Sequence, residues 1–170
     1  DVFGKELPVW GFDFETYYAD DYSLNKMTTV EYVRDPRFKA HGCAVTEPDG
    51  YSYWVTHKDL ENYFKTIDWA NIAILGQNTA FDAFILSEVY GHIPSYMLDT
   101  MSMSYGQWGP SVRHSLDAIC KRLGIEGKVQ GALAPAKNIR DLPCSIEGPL
   151  AFYGIQDIEQ TLKAFWLLYD

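Results

Sequence analysis

The segment Val9-Trp-Gly-Phe-Asp-Phe-Glu-Thr16 is short, apolar and aromatic, and the pattern predicts a central β-strand over Val9–Glu15. The same segment carries two acids, Asp13 and Glu15. Residues two apart in a strand point to the same face, so two like charges stand side by side at its end. That arrangement costs free energy unless a cation lies between them. Hard divalent ions such as Mg²⁺ take oxygen ligands of this kind, and two such ions about 4 Å apart form a phosphoryl-transfer clamp.

Working outward, Tyr17–Ala40 reads as a polar, Tyr-rich insertion, with a short helix capped by Thr28 or Thr29, running through Val33 and stopped near Pro36. Gly42–Thr46 and Tyr51–Val55 form a predicted hairpin across the turn Glu47-Pro-Asp-Gly50. His57–Thr66 is expected to be helical, and Asn71–Leu75 a buried strand ended by Gly76. Phe81–Tyr90 is a predicted helix with Phe81, Ile85 and Val89 on one face. Ser95–Leu98 reads as a short strand; Met101–Tyr105 and Ser115–Leu123 read as helices, the second stopped by Gly124. Gly124–Pro149 is expected to be loop-like, and Leu150–Tyr169 a final helix with Pro149 in its first turn. Strands capable of antiparallel pairing, followed by alternating helices and strands, imply an α/β fold: a mixed central sheet with helices on both faces.

Two further motifs place acids on helices. Asp82 ends Asn78-Thr-Ala-Phe-Asp82, and Asp157 ends Tyr153-Gly-Ile-Gln-Asp157. Tyr153 and Asp157 are four apart, so they share a helix face. Each has a bland explanation when taken alone. Asp82 can be a first-turn carboxylate stabilised by the helix dipole, Asp157 a solvated position and Tyr153 a packing residue. Two acids on one face of an apolar strand have no comparable explanation.

Asp-x-Glu, Asn-x-x-Phe-Asp and Tyr-x-x-x-Asp, in this order, resemble the DEDD superfamily of 3′–5′ exonucleases, in the subgroup with tyrosine in its third motif. The nearest resemblance is to the proofreading exonuclease domain of phage-type family A DNA polymerases. It extends to Tyr22–Phe38, Leu98-Asp-Thr-Met101 and Ser115–Gly124, and spans about Val9 to Leu168. The resemblance implies a ribonuclease-H-like fold and two divalent ions, Mg²⁺ or Mn²⁺, held by Asp13, Glu15, Asp82 and Asp157. Asp13 would bridge both ions, Glu15 and Asp157 would complete the shell of the first, and Asp82 would hold the second. Tyr153 would orient the attacking water. The implied substrate is a single-stranded or frayed DNA 3′ end, and the implied partner a covalently linked polymerase domain. A free-standing exoribonuclease and a catalytically silent domain are the rival readings.

Weaker candidates surround these five. Thr16 is placed to contact the 3′ end through its backbone amide. Asn78 either hydrogen-bonds the terminal nucleotide or caps the following helix. Phe14 and Phe81 either stack on the terminal base or pack in the core. Asp99 is read as the N-cap of the helix at Met101. Lys121, Arg122 and Lys128 form a modest basic cluster, and His114 is read as a surface residue or a DNA contact. No histidine falls in the third motif.

Composition sets the outer limits. The chain has 170 residues, 47% hydrophobic and 15% aromatic, enough for one packed domain over residues 1–170. Its start, without Met, reads as that of a domain excised from a longer chain. No apolar run approaches membrane-spanning length. Three scattered cysteines make no Cys-x-x-Cys pair, so an intracellular, reduced protein is expected, in a host cytoplasm if phage-encoded, with Cys43 and Cys120 as buried small apolar residues. A net charge of −9 opposes tight binding of nucleic acid by this chain alone. Bound cations and an attached polymerase would both reduce that opposition.

Overall fold

The computed structural model describes residues 6–126 and 134–169; Lys128 lies outside them. Strand β1 (Val9–Thr16) is the centre of a five-stranded sheet. β2 (Ala40–Thr46) and β3 (Ser52–Thr56) form the expected antiparallel hairpin, closed by the Gly50 N–H donating to the Glu47 carbonyl at 2.9 Å. Gly50 sits at φ +89°, which suits a residue without Cβ. β4 (Ala73–Gly76) and β5 (Tyr96–Asp99) lie parallel on the other side of β1, so the order is β3-β2-β1-β4-β5.

The two faces of β1 separate apolar from acidic residues. Phe12 and Phe14 point to one face and pack against Phe64 of α2 (Leu60–Phe64); Phe14 also stacks on Tyr90 of α3 (Thr79–Tyr90). Gly11, Asp13 and Glu15 point to the other, where α6 (Cys144–Tyr169) crosses the sheet. Glycines permit the close approach. A Cβ on Gly11 would stand 2.7 Å from Ile158 Cγ1, and one on Gly154 3.3 Å from Ala44 Cβ. The helices therefore lie on both faces of a mixed sheet, as expected.

Four local expectations change. α2 is shorter than His57–Thr66, because the Thr56 hydroxyl and carbonyl bind Asp59 and hold its approach in a turn. The buried face of α3 is Thr79, Asp82, Ala83, Ile85 and Leu86, and Val89 is 43% exposed. α4 (Thr100–Trp108) extends three residues past Tyr105. α6 begins at Cys144, six residues before Leu150, so part of the expected loop Gly124–Pro149 is helical. Pro143 supplies the carbonyl that accepts the N–H groups of Ile146 and Glu147. Pro149 then falls inside the helix, where its missing N–H removes one bond from the second turn. Burial of Leu150 and the contact of Trp54 Nε1 with Glu147 Oε1 at 3.4 Å hold this turn on the sheet.

The Tyr-rich insertion is ordered by its own rings. α1 (Thr29–Arg34) starts at Thr28 with a reciprocal capping box to Glu31. Tyr22 stacks on Tyr32 with centroids 4.5 Å apart, and both are buried. α5 (Leu116–Leu123) ends at Gly124 as expected. Cys43 and Cys120 are buried and unbridged. Among the described residues, no helix is long and apolar enough to cross a membrane.

Gly42 offers a test of this packing. A Cβ there would lie 2.1 Å from Trp54 Cζ2 and 2.7 Å from the Val55 carbonyl oxygen. Gly42→Ala should destabilise the fold by about 1–3 kcal/mol in urea denaturation. Only part of that loss should disappear when the same change is made in a Trp54→Ala background, because the Val55 carbonyl remains in the way.

Candidate active site

The site forms where β1 outruns β4. Pairing between these strands stops at Gly11 and Leu75, which leaves the last residues of β1 without a parallel neighbour. The N–H of Phe14 is taken up by Asp82, whose Oδ1 accepts it at 3.0 Å. Asp82 lies in the first turn of α3 and is only 3% exposed. Gly76 opens the space: a Cβ there would stand 3.4 Å from Asp82 Oδ2 and 3.3 Å from the Phe12 carbonyl oxygen. Burial raises the Asp82 carboxyl to about 7, with the nearby charge of Asp99 acting in the same direction and the Phe14 hydrogen bond opposing it.

Asp13 and Asp157 line one cavity of about 440 Å³, together with Gln77, Tyr105 and Thr161. Tyr153 and Asp157 are both buried on the face of α6 turned to the sheet. Asp157 lies in the fourth turn of this helix, because α6 starts at Cys144. Glu15 lines a second cavity of about 280 Å³ with Phe14, Thr16, Tyr32, His41 and Phe81. Its Cγ lies 3.6 Å from the position a Cβ would take on Gly154, beside Tyr153. The buried thiol of Cys43, on β2 opposite Phe14, registers the convergence. Burial pushes it up, and the charges of Asp82, Asp13 and Glu15 push it further.

The structure thus brings all five principal residues around the end of β1. Among the described residues, however, no group of three or more His, Cys, Asp or Glu side chains is drawn up as a finished metal cage. The donor set itself fits hard divalent ions, since every candidate ligand is a carboxylate oxygen.

The weaker candidates separate. Phe14 is core and also walls the 280 Å³ cavity; Phe81 is half-buried and tilted on Tyr32. A register shift between Glu15 and Thr16 turns Thr16 toward the insertion, where its hydroxyl bonds Tyr32 Oη at 2.8 Å. Asn78 does not cap α3 through its side chain: it is exposed, in the left-handed region at φ 65°. Asp99 acts in its place. Its carboxylate accepts from Asn78 N and Thr79 N as well as from Met101 N and Ser102 N, so one acid caps α4 as expected and also ties down the start of α3. His114 is no surface residue; it is 6% exposed. Gln77 and Tyr105, absent from the sequence reading, line the Asp13–Asp157 cavity. Gln77 is fixed by donating to the His114 carbonyl at 2.7 Å and accepting from the Thr100 hydroxyl at 2.5 Å. The adjacency of Gln77 to the Asn78 motif was the available signal.

No family model and no curated protein matches the chain. Solved structures do. NrnC of Brucella melitensis with bound Mg²⁺ superposes with a TM-score of 0.68 at 17% identity, over 99% of this chain and 75% of that one. RNase D of Escherichia coli, an exoribonuclease involved in structured RNA processing, gives 0.63 at 13% identity, over 96% of this chain and 39% of that one. The family B DNA polymerase of Pyrobaculum calidifontis gives 0.60 at 18% identity, over 92% and 24%. The fold is the ribonuclease-H-like exonuclease fold that the sequence resemblance implied.

The burial of Asp82 predicts a stability signature in metal-free protein. Its folded-state pKa, about 7, lies above the ordinary carboxylate value of 3.8. The folded state therefore binds this proton more tightly, and its stabilising contribution is present below about pH 4 and is lost as pH rises through 7. With chelator at pH 8, Asp82→Asn should be more stable than the parent by on the order of 2 kcal/mol, with the gap closing toward pH 4. Mn²⁺ should raise the parent's Tm by more than the variant's, which keeps the candidate ligands of only the first ion.

Proposed function

We propose that this chain is a metal-dependent 3′–5′ exonuclease that removes nucleoside 5′-monophosphates from single-stranded or frayed DNA ends, in the context of phage-type polymerase proofreading. The observation that carries the reading is the convergence of Asp13, Glu15, Asp82 and Asp157 on one end of β1, with Asp82 buried at a cost that the Phe14 N–H offsets in part and that a nearby cation would offset further. The Mg²⁺ bound in the NrnC structure supports divalent cations as the cofactor class.

These four carboxylates would hold two divalent cations. When bound, such ions ease ionisation of the attacking water and stabilise negative charge on the phosphodiester. Tyr153, one turn before Asp157 on the same face of α6, orients that water through its hydroxyl. The scissile phosphate lies against the carboxylates. The terminal nucleoside enters the 280 Å³ cavity, where Phe14 and Phe81 offer apolar walls and the Tyr-rich insertion closes one side. Water attacks phosphorus and gives up a proton to solvent, the P–O bond to the 3′-oxygen of the preceding nucleotide breaks, and that oxygen takes a proton from solvent.

A second reading, an exoribonuclease of the same fold, is favoured by the likeness to RNase D. The resemblance of Tyr22–Phe38 to a phage polymerase insertion favours DNA. The two separate on a 3′-labelled DNA oligonucleotide and its RNA twin. The proposal expects metal-dependent release of mononucleotides, faster from DNA; preference for RNA selects the second reading.

In the same assay Asp13→Ala and Asp157→Ala should each lower the rate by at least about a thousandfold without loss of folding, since each removes a ligand and relieves repulsion. Activity within tenfold of the parent would contradict the assignment. Tyr153→Phe should cost about tenfold to a hundredfold, because the carboxylates survive.

A further inference from the structure

We infer that Tyr105 is a stacking platform for the penultimate base of the bound strand, on the opposite side of the carboxylates from the terminal-nucleoside cavity. The inference rests on the exonuclease reading and deepens it. Two cavities meet the acids: one at Glu15, walled by Phe14 and Phe81, and one at Asp13 and Asp157, walled by Tyr105. A phosphodiester held at the carboxylates has one nucleoside on each side. If the terminal nucleoside enters the first cavity, its 5′ neighbour lies toward the second.

Tyr105 is built to receive it. The side chain is 47% exposed at the cavity wall, although it is a large aromatic residue in a helix that packs on α6. One face of its ring lies on the imidazole of His114, with centroids 3.6 Å apart and planes 23° apart. That imidazole cannot move freely. It is buried, its Nε2 donates to the Gly109 carbonyl at 2.9 Å, and its Nδ1 is hydrogen-bonded to Ser104 Oγ at 2.7 Å. The Ser104 hydroxyl oxygen also lies 2.7 Å from the Met101 carbonyl oxygen, so its single proton is shared between these two partners. The buried histidine thus backs an exposed ring and fixes its plane, so little side-chain entropy is lost when a base stacks on the other face. A ring exposed only by accident of packing would have no need of such a support.

The surface beyond agrees in charge. Ser115, at the cavity rim, also edges a depression that carries Arg113, Lys121 and Arg122, with Asp117 paired to Lys121 at 2.8 Å, so the cations exceed the acids there by two. In a chain of net charge −9, this places cationic groups where the next phosphates of the strand would run.

The test compares the parent, Tyr105→Phe and Tyr105→Ala on three substrates. They are a single-stranded DNA oligonucleotide, the same strand with an abasic residue at the penultimate position, and the p-nitrophenyl ester of thymidine 5′-monophosphate, which has no 5′ neighbour. On the normal strand Tyr105→Ala should raise KM about tenfold with kcat within threefold, and Tyr105→Phe should stay within twofold of the parent. On the abasic strand and on the ester, Tyr105→Ala and the parent should be alike, a result that loss of structure would not give. An unchanged KM on the normal strand, or an equal penalty on all three substrates, overturns the platform while leaving the exonuclease reading intact. A parent that cleaves none of them removes the exonuclease reading, and the platform falls with it.

Discussion

A carboxylate buried at the end of a strand organises this molecule. Asp82 takes the N–H that β4 leaves unpaired on Phe14, and so fastens the start of α3 to β1. The hydrogen bond recovers part of what desolvation costs, but not all, since the carboxyl remains raised to about 7. The same contact sets negative charge beside Asp13 and Glu15. Fold and charge strain are therefore made by one interaction. Gly76 leaves room for it, because a Cβ there would crowd the Thr79 hydroxyl at 3.1 Å and the Phe12 carbonyl oxygen at 3.3 Å.

The other half of the site is delivered by α6, and here small residues rather than polar ones set the geometry. Gly11 and Gly154 remove the side chains that would hold the helix off the sheet, and Tyr153 and Asp157 reach the acids as a consequence. On the opposite face, Phe12 and Phe14 join Phe64, Trp69 and Tyr90 in an aromatic cluster that packs against β1. A packed apolar face beneath a charged one suits a site that must hold several like charges before any cation arrives.

Much of this was legible in the sequence, where a local rule and the tertiary structure agree. β1, the hairpin, the capping box at Thr28 and the cap at Asp99 each follow from a few adjacent residues. The placement of Asp13 and Glu15 on one strand face, and of Tyr153 and Asp157 on one helix face, was legible for the same reason, since each pair carries its geometry in its spacing; Asp82 was singled out by the motif resemblance. What was not legible depended on distant partners. Pro149 reads as a helix start until the packing of Leu150 and Glu147 carries the helix back to Cys144. Asn78 reads as a cap until Asp99, 21 residues on, takes its place. His114 reads as polar surface until Ser104 and Gly109 satisfy both of its nitrogens in the interior.

The proposed function requires a divalent cation among the acids at the end of β1. Anomalous diffraction from crystals grown with Mn²⁺ tests it most directly. The account places manganese within direct ligation distance of Asp13, with Glu15, Asp82 or Asp157 completing its shell, and the carboxylates drawn closer than in the metal-free chain. Manganese bound only elsewhere, or absent at saturating concentration with these side chains unmoved, would contradict it.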